Sequence, residues 1–121
     1  MNIKEKFLNL LHTKTADGFH DAVLSEIKFI FEKKEIIISI YHWKKEKDNE
    51  GFFKGNIIFY NAGNISLENN SNFFLYDDEI SMLNIAENDI NNFRLIGKEG
   101  WVLSFSSLDF TYEEKFIGEE Y

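Results

Sequence analysis

The 121-residue chain has no cysteine and no proline, only 7 glycines, and 13 Lys and Arg against 21 Asp and Glu. Each shortage removes a class of protein. Without cysteine there is neither a disulfide scaffold nor a thiolate metal site. No segment reaches the roughly 18 consecutive apolar residues that a membrane span needs. The first residues, Met1 to His12, start basic but hold no apolar stretch long enough for a secretory core, and no small-residue cleavage site follows. The expectation is a soluble, cytoplasmic protein. The glycines stand singly or in turns, so a phosphate-cradling loop has no place to form, and GxSxG, HExxH and EF-hand spacings are absent.

Apolar and aromatic residues are plentiful. At 44% hydrophobic and 17% aromatic, the chain has enough apolar surface to offset the entropy of folding. Its length suits one core, so residues 1–121 read as a single domain.

The charge is uneven along the chain. Residues 1–60 carry ten Lys and nine carboxylates, a net of +1; residues 61–121 carry Arg94, Lys98 and Lys115 against twelve carboxylates, a net of −9, which together give −8. Phosphate binding needs clustered cations, and the one basic run, Lys44-Lys45-Glu46-Lys47, is interrupted and followed by Asp48 and Glu50. Nucleic acid and anionic membranes are therefore not expected partners. A basic protein is, because an acidic face speeds association with one. Asp77, Asp78, Glu79, Glu87 and Asp89 are the candidate partner-binding residues. The bland alternative is an acidic surface that serves solubility.

Ile3, Phe7, Leu10 and Leu11 repeat with helical spacing and predict a short amphipathic helix. After a turn-rich connection at 13–18 the period changes to two. Residues 22–31 predict a half-buried strand, Glu32 to Glu35 a four-residue reversal, and Ile36 to Trp43 a central strand too apolar for a sheet edge. Lys44 to Gly51 reads as a polar loop and Phe52 to Tyr60 as a strand. Short strands are expected at 65–67 and 73–76, and residues 77–85 fit either a short helix or an irregular strand. Phe93 to Ile96 and Trp101 to Phe105 flank a glycine-bounded loop, the clearest hairpin. Residues 108–112 add a last strand, and Glu113 to Tyr121 reads as an acidic, frayed end. The predicted fold is α+β: an N-terminal helix on a mostly antiparallel β-meander of about six or seven strands, since the loops are too short for crossover helices.

Two polar clusters merit a chemical reading. Asp17, His20 and Asp21 precede the first strand, and His42 lies near the end of the next. A reversal at Lys33-Lys34 would set Trp43 across from Leu24 and His42 near Ser25, bringing His20 and His42 to one end of the sheet. An imidazole beside a carboxylate is a minimal general base, and two His with an Asp can hold a metal. No nucleophile or oxyanion donor accompanies them, so a role in fixing the start of the strand is the simpler reading. Asp77-Asp78-Glu79 lacks the second acidic motif that a hard-cation site requires. Trp43, Tyr41, Phe52 and Phe53 form a possible aromatic contact patch, whereas Trp101 and Phe105 read as core. No catalytic, cofactor-binding or metal-ligating residue is assigned.

The segment Phe19-His20-Asp21-Ala22-Val23-Leu24, with Ile27 and the strand Ile36 to Ile40, resembles small bacterial proteins that open on His-Asp-Ala before a β-meander. Some of these are immunity proteins of polymorphic toxin systems. The resemblance implies a non-catalytic protein that blocks a toxin domain, with the acidic second half facing a basic nuclease-type toxin and His20 and Asp21 structural. Two alternatives stand beside it: a small hydrolase or metal-dependent enzyme using His20, Asp21 and His42, and a structural subunit that homodimerises through a sheet edge.

Overall fold

The computed structural model describes residues 2–14, 19, 22–69, 80–85 and 91–120. Helix α1 spans Ile3–Lys14. Asn2 caps it, its Oδ1 accepting the Glu5 N–H at 2.8 Å, which satisfies one of the donors a helix start leaves open. The predicted stripe faces inward: Phe7 and Leu10 are buried, with Ile3 and Leu11 packed beside them.

Eight strands follow among the described residues: β1 Val23–Ile30, β2 Glu35–Glu46, β3 Asn49–Tyr60, β4 Gly63–Asn69, β5 Ile80–Ile85, β6 Asn92–Gly97, β7 Trp101–Ser106 and β8 Asp109–Gly118. They form two four-stranded antiparallel sheets, ordered β1-β2-β3-β8 and β4-β7-β6-β5. The fold is α+β, a helix packed on antiparallel strands. The meander is divided, however: β8 returns to the first sheet and pairs with β3. Two crossings between the sheets meet at one corner. There the buried Ser107 hydroxyl lies 2.8 Å from the Tyr60 carbonyl oxygen, and the Leu108 N–H donates to that same carbonyl at 3.1 Å.

The β1–β2 reversal has the expected four residues but begins one earlier, as a 3-10 turn at Phe31–Lys33 closed by Lys34 in the left-handed region (φ 55°). A bulge between Leu24 and Glu26 shifts the register again, so Leu24 faces Ile40 and Val23 faces Tyr41. His42 therefore lies past Val23 rather than near Ser25, and Trp43 does not face Leu24. The supposed loop at 44–51 is strand: β2 and β3 pair as far as Glu46 and Asn49, with only Lys47 and Asp48 between. The acidic end is likewise strand through Gly118. Polarity hid both regions, because each carries charge on the two sides of its ladder, with Lys44, Glu46 and Glu114 on the inner face and Lys45, Glu113 and Lys115 on the outer. Residues 80–85 are strand; the predicted strand at 73–76 lies outside the described residues.

Period two explains the core. Ile36, Ile38 and Ile40 of β2 point inward with Ile57 and Phe59 of β3, and meet Phe93, Leu95, Trp101, Leu103 and Phe105 of the second sheet. Phe59 sits 4.7 Å from the Phe105 ring and 4.9 Å from Phe93, while Phe7 of the helix closes edge-on over Phe93 at 5.0 Å. The Trp101 indole packs against Gly97, where a Cβ would collide with it. Among the described residues no helix is long and apolar enough to cross a membrane.

Candidate functional site

Alternation gives the first sheet two chemically distinct faces. On the inner face, beyond the isoleucines, β2 continues with His42 and Lys44, and β8 supplies Tyr112 and Glu114. These residues belong to strands separated by β3, so their side chains must cross a full strand. Gly55 makes that possible. It lies between Ile40 and Glu114 in the ladders, and a Cβ there would stand 2.5 Å from the Tyr112 hydroxyl oxygen.

Both oxygens of Glu114 are engaged. Lys44 Nζ donates to Oε1 at 2.6 Å, and the Tyr112 hydroxyl donates to Oε2 at 2.7 Å. His42 Nε2 lies 3.2 Å from Oε2 and 3.1 Å from the Tyr112 oxygen. Since the single Tyr112 proton goes to the carboxylate, donor counting puts the His42 hydrogen on Nε2. Lys44 also reaches Glu46 at 2.8 Å and lies 4.6 Å above the Phe53 ring.

The electrostatics follow from burial. Desolvation pulls the His42 pKa below 6.5 against the opposing pull of Glu114, so at neutral pH the ring is neutral and its contact with Glu114 is a hydrogen bond. Burial, reinforced by Glu114, pushes Tyr112 up, so the phenol keeps its proton. Burial alone would lower Lys44, but its hydrogen bonds to Glu114 and Glu46 outweigh that and raise it. His42 is closed in further by the rings of Phe19, at 5.6 Å, and Phe53, at 6.1 Å. These hydrogen bonds tie β8 to β2.

The outer face differs. Trp43 faces Phe52, Ile37 faces Ile58, and Tyr41 faces Lys54, which in turn faces Lys115. Trp43 is 57% exposed, and Tyr41 and Phe52 are half-buried. The predicted aromatic patch is thus divided by the pleat: Tyr41, Trp43 and Phe52 lie outside, and Phe53 is buried inside. Next to it a groove of about 320 Å³ is lined by Lys54, Asn56, Glu113, Glu114 and Lys115.

Of the residues singled out in the sequence, His42 is buried in the network. Asp17, His20 and Asp21 lie outside the described residues, as do Asp77, Asp78, Glu79, Glu87 and Asp89. Among the described residues no three His, Asp or Glu side chains converge as metal ligands would. Lys44, Tyr112 and Glu114 were missed by sequence reasoning. The available signal was Phe110, Tyr112 and Phe116 at even spacing, a strand period broken only by Glu114.

No protein-family model matches the chain, and no curated protein matches it in sequence. Its fold is similar to that of an uncharacterized protein from Neisseria gonorrhoeae seen in a crystal structure. That similarity has a TM-score of 0.54 at 20% identity, and covers 78% of this chain and 92% of the other. At that identity the fold is shared and nothing further is transferred.

Proposed function

We propose that this is a non-catalytic binding protein of the bacterial immunity type, which neutralises a toxin domain by covering it with the outer face of the first sheet. The observation that carries the reading is the exposed Trp43 paired with Phe52 beside Tyr41, with the Ile37–Ile58 pair further along the same face. An exposed tryptophan on an inner strand, with apolar and polar neighbours beside it, has the composition of an interface anchor. The inner cluster supports the same reading from the other side, because its His, Tyr and Glu are spent on one another. The net charge of −8 steers a basic partner from a distance, in the cytoplasm where such toxins act.

The test is co-expression with the toxin-like product of an adjacent gene and recovery of the complex at low ionic strength. Wild type should rescue growth and retain the toxin, with an association rate that falls as salt rises. Trp43→Asp should lose both while folding normally. Rescue by Trp43→Asp at wild-type level would refute the outer face as the docking surface.

One observation favours a second reading, self-association through a sheet edge. β4 is an edge strand whose Ile65 and Leu67 are 40% and 50% exposed. Light scattering separates the two: a dimer abolished by Leu67→Lys supports the edge, and a monomer removes it.

A further inference from the structure

We propose that the groove between Lys54 and Lys115 receives the carboxylate of an aspartate or glutamate side chain carried by the docked protein. The inference rests on the docking surface above and adds the chemistry of what it grips.

Lys54 and Lys115 are direct cross-strand partners in the β3–β8 ladder. Like charges so placed repel, and folded chains usually relieve the repulsion with a neighbouring carboxylate. Here neither lysine forms an ion pair among the described residues, whereas Lys6 and Lys44 both do. Lys54 is held over the face, its ammonium 5.8 Å from the centre of the Tyr41 ring. Asn56 adds a second kind of donor. Its Oδ1 accepts the Ser39 hydroxyl at 2.6 Å, which fixes the amide and leaves the Nδ2 hydrogens without a partner among the described residues. Two ammonium groups and an oriented amide therefore border one groove of about 320 Å³.

The charge count selects the ligand. Glu113 lies opposite Asn56 and lines the same groove, while Glu114 is already paired with Lys44, so the free charge is two cations against one anion. That suits a single carboxylate. A phosphate dianion or a polyanion would meet Glu113 at contact and the net −8 of the chain at distance. The apolar pair Trp43–Phe52 is the next row along the sheet, so the acidic side chain belongs to a partner that also presents an apolar group. Attraction of a basic partner by the acidic excess and a grip on one local acid do not conflict, because the groove acts only in contact, within the roughly 8–10 Å screening length.

Nuclear magnetic resonance titration of the full chain with N-acetyl-aspartate amide tests the groove without needing the partner. The Asn56 side-chain amide and the backbone amides of Lys54 and Lys115 should shift saturably. N-acetyl-asparagine amide should leave them unmoved, and the double variant Lys54→Ala/Lys115→Ala should weaken the midpoint by about tenfold or more. Non-saturating shifts, shifts retained in the double variant, or tighter binding of inorganic phosphate than of the aspartate would overturn the proposal. Failure here is distinguishable from failure of the docking surface. A toxin captured equally by wild type and the double variant, yet lost by Trp43→Asp, keeps the surface and removes the groove.

Discussion

The two faces of the first sheet handle lysine in opposite ways. On the inner face Lys44 is gripped by Glu114 and Glu46 and covered by Phe53. On the outer face Lys54 and Lys115 face each other with no carboxylate in ion-pair reach among the described residues. The same residue type from the same β-ladders is thus structural on one side and available on the other. The cause is what burial demands. A charge taken from water must find its counter-charge within the fold, whereas a charge at the surface can leave its counter-charge to water or to a partner.

The largest expected effect breaks the inner side of this comparison. Glu114→Gln leaves Lys44 with Glu46 as its remaining carboxylate and takes the charged acceptor from Tyr112 and His42, and should destabilise the fold by about 1.5–3 kcal/mol. Urea denaturation followed by tryptophan fluorescence checks it. A loss below about 0.5 kcal/mol, the usual scale of surface changes, would mean the network holds nothing.

Smaller, and specific to His42, is a pH effect. The folded pKa lies below 6.5, so between the two values the unfolded chain binds the proton that the folded chain refuses. Stability is therefore lost as pH falls through about 6.5, and is retained above it. His42→Gln should flatten this part of the profile between about pH 7.5 and pH 5.5, measured as the shift in urea midpoint. A steeper fall in the variant than in wild type would reverse the assignment of a neutral ring.

The smallest effect sharpens the outer side. Lys115→Glu replaces a repelling cross-strand pair with an attracting one and should stabilise by about 0.2–1 kcal/mol. It should also abolish the aspartate response of the groove. Stability gained together with binding lost is the pattern of a surface kept for recognition; a loss of stability would show that the two lysines do not repel.

Division of the charge between the halves of the sequence takes a different meaning in the fold. Among the described residues the acidic second half is divided between the sheets, because β8 crosses into the first sheet and spends Asp109 on Lys6 and Glu114 on Lys44. Much of the remaining excess, at 77–79, 87 and 89, lies outside the described residues. Linear charge counts could not foresee this, since pairing across about 70 to 100 residues of chain leaves no local mark in the sequence.

Local chemistry was legible wherever a period was clean. The helix showed in Ile3, Phe7, Leu10 and Leu11, the central strand in its isoleucines, and the late hairpin in its glycine-bounded loop, because each buries one face by a rule with a range of a few residues. Trp101 and Phe105 were core as their spacing implied. The sequence by itself determined this much: the α+β class, the antiparallel pairing and a core built of aromatics. The return of β8 to the first sheet, the gap at Gly55 through which His42 meets Glu114, and the unrelieved Lys54–Lys115 pair were decided only by tertiary structure. Each depends on which strand lies beside which, a choice made by global packing and invisible to any window of neighbouring residues.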